Sequence, residues 1–212
     1  MQRQMADFPE NETVRLETFS DGVFAIDITL LTFQLKAPSL KLATSSHTLA
    51  SALFHQWPSY IAYFVSFTTI FIIWLNHHRM YNVIQRSDVR FMFYNGLLLL
   101  LVTIIPFTTS LLADYINTPA NQLSSALYML LFAGISATLF GMWNYATDNY
   151  RLLKRPVADV RIRNVRVSHL ISLIVYALAA GLSLLLPFVS ILIGLAMVVY
   201  LSRLKYHREK VV

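Results

Sequence analysis

Two carboxylates stand six residues apart in VRLETFSDGVFAIDITLLTFQL, residues 14–35, a stretch otherwise apolar enough to cross a bilayer. Asp21 falls about 10 Å and Asp27 about 20 Å along such a helix from its start, at 1.5 Å per residue. Ionisable groups at that depth are costly and mark ion pathways, proton relays or buried polar contacts. Polar groups that could meet them lie in the next two apolar stretches. Trp74, Asn76, His77, His78 and Arg79 close one of these, and Asn95 sits five residues inside the other, counted from Arg90. Antiparallel bookkeeping puts Ser20, Asp21, Trp74, one of His77 and His78, and Asn95 at similar depth. Buried polar groups must be paired wherever they occur. The cluster therefore reads either as structural pairing alone or as a brace or gate for the first helix. A metal site is disfavoured, because adjacent histidines on a helix point about 100° apart.

The first helix has no uniformly apolar side. On a helical wheel Gly22, Ile26, Thr29, Leu30 and Phe33 share one face. Asp21, Ala25, Ile28 and Thr32 share another, and Ser20, Asp27 and Leu31 a third. A helix of this kind belongs in the middle of an assembly and not broadly against lipid.

The chain that must position it is strongly apolar. Of 212 residues 56% are hydrophobic and 13% charged, about half the usual charged share of a soluble domain. Six stretches reach the length needed to span a bilayer. They run from about Val14 to Leu35, Pro58 to Val83, Phe91 to Leu112, Leu123 to Tyr145, Val167 to Leu186 and Pro187 to Leu204. The expected fold is an all-α, six-span membrane bundle forming a single domain over 1–212. Pro106 should kink the third span. Pro187 costs no hydrogen bond in a first turn, so Leu186-Pro187 reads as a tight turn between spans. Ala133, Ala137 and Gly141 form a small-residue ridge suited to close helix approach. Ser45 to Gln56 carries Leu49, Ala52 and Leu53 at helical spacing, as a surface-lying helix would. Trp57, Tyr60 and Tyr63 suit one interface, and Trp143, Tyr145 and Tyr150 the other.

The basic charges alternate along the chain. One set of segments holds Arg3, Arg15, Arg79, Arg86, Arg90, Arg151, Lys154, Arg155, Arg161, Arg163, Arg166, Arg203, Lys205, Arg208 and Lys210, while the other holds Lys36 and Lys41. Fifteen against two puts the first set in the cytoplasm, with both termini, in a cell-membrane protein. The net charge of +6 is thus a topology signal, which argues against nucleic acid and for anionic lipid headgroups as partners. The first thirteen residues are polar and lack the apolar stretch of a cleavable signal, so the first span is expected to direct insertion. The absence of cysteine excludes disulfides, thiolate metal sites and thiol nucleophiles. No nucleophile with an evident base appears in the polar cluster, so an enzyme is not expected.

Arg15-Leu-Glu-Thr-Phe19-Ser20-Asp21-Gly22 resembles the Arg-x-x-x-Phe-Ser-Asp motif of the transmembrane-protein-175 family of potassium channels. Trp74-Leu-Asn-His77-His78-Arg79 is similar to the pattern closing that family's second span, and Asn95 followed by Pro106-Phe107 is similar to its third. The resemblance implies a homotetramer with the first helices around a central pore and potassium as the permeant ion, without a cofactor. It implies a constriction of bulky apolar side chains at Ile26, Leu30 and Phe33, with Gly22 and Thr29 also lining the pore. An apolar ring resists wetting until it widens, and an ion must then shed part of its hydration to pass. Asp27 departs from the pattern, where a small or apolar residue is expected. Its role is open between a protonated group, a carboxylate paired with another span, and one reaching the lumen. The competing reading is a proton-coupled transporter or proton leak using Asp21, Asp27 and His77 or His78 as a relay.

Overall fold

The structure, a computed structural model, describes residues 12–39, 44–153 and 158–204. Among the basic residues that set the charge pattern, Arg3, Lys41, Lys154, Arg155, Lys205, Arg208 and Lys210 lie outside the described residues.

Among the described residues eight α-helices follow in order: α1 (Glu12–Leu30), α2 (Ser46–His55), α3 (Trp57–Tyr81), α4 (Val89–Val102), α5 (Ile105–Tyr115), α6 (Asn121–Thr147), α7 (Asp159–Ser183) and α8 (Pro187–Ser202). Local sequence explains most boundaries. α1 tightens into a 3-10 turn at Leu31–Gln34 and stops before Lys36-Ala37-Pro38. A reciprocal capping box between Ser45 and Thr48 starts α2. Asp88 caps α4 by accepting the Phe91 backbone N–H at 2.9 Å.

Pro106 breaks the third apolar stretch more fully than a kink. Its ring cannot donate to the Val102 carbonyl and crowds it, so α4 ends there and α5 begins only at Ile105. Pro187 opens α8 directly after the turn at Leu184–Leu186, as its place in the sequence dictates. α7 starts at Asp159, eight residues before the apolar run, because Arg161, Arg163 and Arg166 are good helix formers.

Among the described residues, four segments are long and apolar enough to cross a membrane: Trp57–Tyr81, Val89–Tyr115, Asn121–Tyr150 and Asp159–Ser183. Pro187–Ser202 is apolar but shorter, and α1 is too rich in ionisable residues to meet the same standard.

α6, not α1, occupies the centre of the chain's own bundle. Its Tyr128, Met129, Phe132, Ile135, Leu139, Met142 and Trp143 are buried, and it packs against α4, α5, α7 and α8. α1 lies at the edge, against α3, α4 and α5. Of the small-residue ridge on α6, Ala133 is buried and Gly141 seats the Tyr94 ring, but Ala137 is exposed, so the ridge is not one continuous contact. Trp143 is likewise no interfacial anchor. It is fully buried and its indole donates to the Ile162 carbonyl at 3.0 Å, since a buried N–H requires an acceptor. α2 forms as expected, with Leu49, Leu53 and Phe54 exposed.

The alternate basic segments do gather at one end. Thr13 at the start of α1 donates to the Gln85 carbonyl at 3.2 Å. Gln85 and Arg86, in the loop after α3, donate through their backbone to the Leu152 carbonyl beyond α6. Arg79 donates to the carbonyls of Ser202 and Leu204 at the end of α8. Trp143 ties the same end of α6 to the first turn of α7. The Arg79 bonds satisfy carbonyls at the C-terminal end of α8 that have no partner within that helix.

Candidate functional site on the first helix

α1 has two sharply different sides. Ser20, Phe24, Asp27 and Leu31, spaced at helical intervals, are all buried against the rest of the chain. The opposite stripe is open. Ile26 is 59% and Phe33 76% exposed, Leu30 is 38% exposed, and Gly22 and Thr29 are exposed beside them. The five residues expected to share a face therefore share one that nothing among the described residues covers. Thr29 Oγ1 donates its proton to the Ile26 carbonyl at 2.7 Å, so its lone pairs remain free to accept or to face a cation.

Ser20 and Asp21 are held by the basic ends of α3 and α4. The Trp74 indole N–H donates to Asp21 Oδ1 at 2.8 Å. Asn95 Nδ2 donates to Ser20 Oγ at 2.9 Å, and Ser20 passes its own proton to the Leu16 carbonyl at 2.8 Å. Asn95 Oδ1 accepts from Tyr81 at 3.1 Å and lies 2.9 Å from His77 Nε2. As an amide oxygen only accepts, His77 must carry its proton on Nε2. Phe24 packs on the His77 ring at 5.4 Å. His78 stacks on Trp74 and sets its Nδ1 3.0 Å from Glu17 Oε1.

Of the residues singled out from sequence, Ser20, His77 and Asn95 form one hydrogen-bonded group, and Asp21, Trp74 and His78 form a second beside it, both between α1 and the basic ends of α3 and α4. Arg15 and Phe19 lie on the exposed side, away from both. Asp27 is 1% exposed on the buried side. Sequence reasoning passed over Glu17 and Tyr81 as cluster members. Tyr81 follows His77 by four residues and was within reach on spacing alone. Asn76 and Arg79 serve a different contact, binding the carbonyls at the end of α8. Among the described residues no group of acids and histidines is arranged to hold a metal ion.

A bundle of long apolar helices, with one polar-anchored helix left open along an apolar stripe, defines a membrane protein of the helical type. Comparison with known proteins places it further. The family described as "Endosomal/lysosomal potassium channel TMEM175" matches residues 15–106. A potassium channel of Chamaesiphon minutus is 36% identical over 199 residues, covering 93% of this chain and 98% of the relative. A potassium channel of Streptomyces collinus is 37% identical over 174 residues, 82% of this chain and 83% of that one. The chicken protein described as "Endosomal/lysosomal proton channel TMEM175" is 28% identical over 152 residues, which are 68% of this chain and 30% of the relative. Among solved structures, the lysosomal potassium-selective channel TMEM175 homolog from Chamaesiphon minutus superposes with a TM-score of 0.82. That match is at 34% identity and covers 91% of this chain and 97% of the other. The chain belongs to the TMEM175 family, a family of membrane-spanning ion channels and not enzymes.

Proposed function

We infer that this chain forms a potassium-permeable ion channel in which α1 lines the conduction path. The observation that carries this reading is the uncovered stripe of α1. Ile26 and Phe33 stand open on a helix whose other side is pinned by Asp21, Ser20 and a chain of hydrogen bonds. A helix so anchored holds its open face rigidly toward whatever lies beyond the subunit. The potassium-channel relatives covering most of the chain support the same ion.

In this reading the assembly is a homotetramer in the cell membrane. Each chain contributes six spans, α1 with its 3-10 turn and the broken α4–α5 pair counting as one each, and both termini face the cytoplasm. Four copies of Ile26, with Leu30 and Phe33 on the next turns, form apolar rings that resist wetting. Thr29 offers lone pairs between these rings, and Gly22 widens the path on the basic side. Ser20, Asp21, Trp74, His77, His78 and Asn95 set the pose of the helix. Potassium releases hydration water more readily than sodium, which gives a narrow apolar ring a preference between them.

A relay of protons from Asp21 to Asp27 finds less support. No hydrogen bond connects Asp27 to the cluster among the described residues, and the Phe24 ring occupies the buried face between them.

The test is ion flux through purified protein in liposomes, with particle mass in detergent. The reading expects a tetramer, potassium leak above sodium leak, and a weakened preference in Ile26→Asn. A monomer, or an Ile26→Asn variant indistinguishable from wild type, removes the pore from α1.

A further inference from the structure

Asp27 is the one acid among the described residues that is fully buried without a partner. It is 1% exposed, and it makes neither hydrogen bond nor ion pair. Its neighbours on the same face, Phe24 and Leu31, are equally buried and apolar.

Every group that could offset a charge there is committed or distant. On α3, His77 and Tyr81 bind Asn95, His78 binds Glu17, and Arg79 binds the carbonyls ending α8. On α4, Arg90 lies in the first turn, and Tyr94 turns toward Gly141 and Tyr145 on α6. On α5, Asp114 and Tyr115 are exposed at the far end. The buried positions facing inward from α5 are Ile105, Pro106, Thr108, Thr109 and Leu112, none of them titratable. On α1 itself the nearest charged group is Asp21, about 9 Å back along the axis and of like sign. A carboxylate sealed in apolar surroundings with no counter-charge is far costlier than the neutral acid.

We propose that Asp27 is a proton-binding site built into the first helix, where the carboxyl is held neutral behind the exposed stripe. The bound proton replaces the partner that Trp74 supplies to Asp21. When the proton leaves, the carboxylate must reach water or a cation. The open side of α1 at Ile26 is only about 100° around the helix. Proton release therefore turns α1 and moves Ile26 with it, so proton occupancy sets the conduction path. This last step rests on the pore reading; the proton site itself does not.

Two measurements on the full chain in lipid bilayers separate them. Infrared spectroscopy at neutral pH should show the carbonyl band of a protonated carboxylic acid in wild type. Asp27→Asn should lose it, and so should Asp27→Leu, a second variant of similar size should the amide fold poorly. A wild-type spectrum without the band, or a band that survives both substitutions, overturns the proton site. Potassium flux into liposomes should then change with pH over the interval in which the band disappears, and Asp27→Asn should flatten that profile. A pH-independent wild-type flux overturns the coupling. Absence of flux in wild type with the band intact instead strikes the pore reading and leaves the proton site standing.

Discussion

The Trp74 indole meets Asp21 Oδ1 at 2.8 Å, joining α3 to α1. The contact is doubled by His78, which stacks on the Trp74 ring with centroids 5.7 Å apart and reaches Glu17 one turn earlier on α1. Trp74→Phe keeps the aromatic packing and removes the donor. Losing a hydrogen bond to a half-buried carboxyl costs about 1–3 kcal/mol. The variant should unfold at lower temperature in detergent than wild type, and Trp74→Phe with Asp21→Asn should cost less than the sum of the two single changes. Strict additivity would mean the bond contributes nothing.

Asn95 carries more than any other side chain of the cluster. Its amide donates to Ser20 on α1 and receives Tyr81, with His77 2.9 Å away on the same oxygen, and it is 1% exposed. Asn95→Leu fits the volume but strands two buried donors at once, the Tyr81 hydroxyl and His77 Nε2, and takes from Ser20 the donor it accepts from. Each stranded group costs about 1–3 kcal/mol, and such networks lose more than their pairwise parts. Ser20→Ala should be far milder, because Asn95 keeps its other partners and the Ser20 hydroxyl served the Leu16 carbonyl as well. Thermal unfolding of both variants should rank them in that order. Equal losses would place the energy in the Ser20 contact alone.

The all-helical, apolar character of the chain and the polar cluster were legible because each rests on a strong local signal. Apolar runs near bilayer length, the alternation of arginines and antiparallel depth matching sufficed for Ser20, Asp21, Trp74, His77 and Asn95. The wheel also placed Gly22, Ile26, Thr29, Leu30 and Phe33 together, because α1 is a regular helix down to Leu30. What stayed hidden depends on tertiary contact. Nothing local says that Trp143 turns inward to the Ile162 carbonyl, or that α6 and not α1 fills the subunit's centre. Arg15 and Phe19 travel with Ser20 and Asp21 in one motif, yet helical geometry sends them to the opposite side. Asp27 could be given a face by counting, but its isolation emerges only from the positions of all its neighbours.

Asp88 offers a pH test outside the spans. Burial pushes its carboxyl up, but the Tyr145 hydroxyl at 2.5 Å, the Phe91 N–H and the nearby Arg151 charge outweigh this and hold it below its ordinary value. A carboxyl lowered on folding adds stability that is fully present above its unfolded value and is lost as pH falls through the folded one. Stability should therefore decline as the medium is acidified through and below the usual carboxylate range. Tyr145→Phe removes the strongest of the lowering contacts, so its thermal midpoint should vary less with acidification than that of wild type. An unchanged acid limb would show that Asp88 does not link pH to folding.

Two glycines separate packing from the proposed path. A Cβ at Gly141 would lie 2.9 Å from Tyr94 Cε1, against a ring that cannot flex and that also packs on Tyr145 at 6.0 Å. Gly141→Ala should destabilise by about 1–3 kcal/mol through overpacking. A Cβ at Gly22 meets nothing within 4 Å among the described residues. Alanine there should leave stability unchanged or raise it by up to about 1 kcal/mol from helix propensity. Should Gly22 line the lumen, four added methyl groups narrow it on the basic side of Ile26. Gly22→Ala would then lower potassium flux at full stability, while Gly141→Ala would lose stability first. Measuring unfolding and liposome flux on the same preparations decides between them. A Gly22→Ala protein as stable and as conductive as wild type would place this face against something other than the ion path.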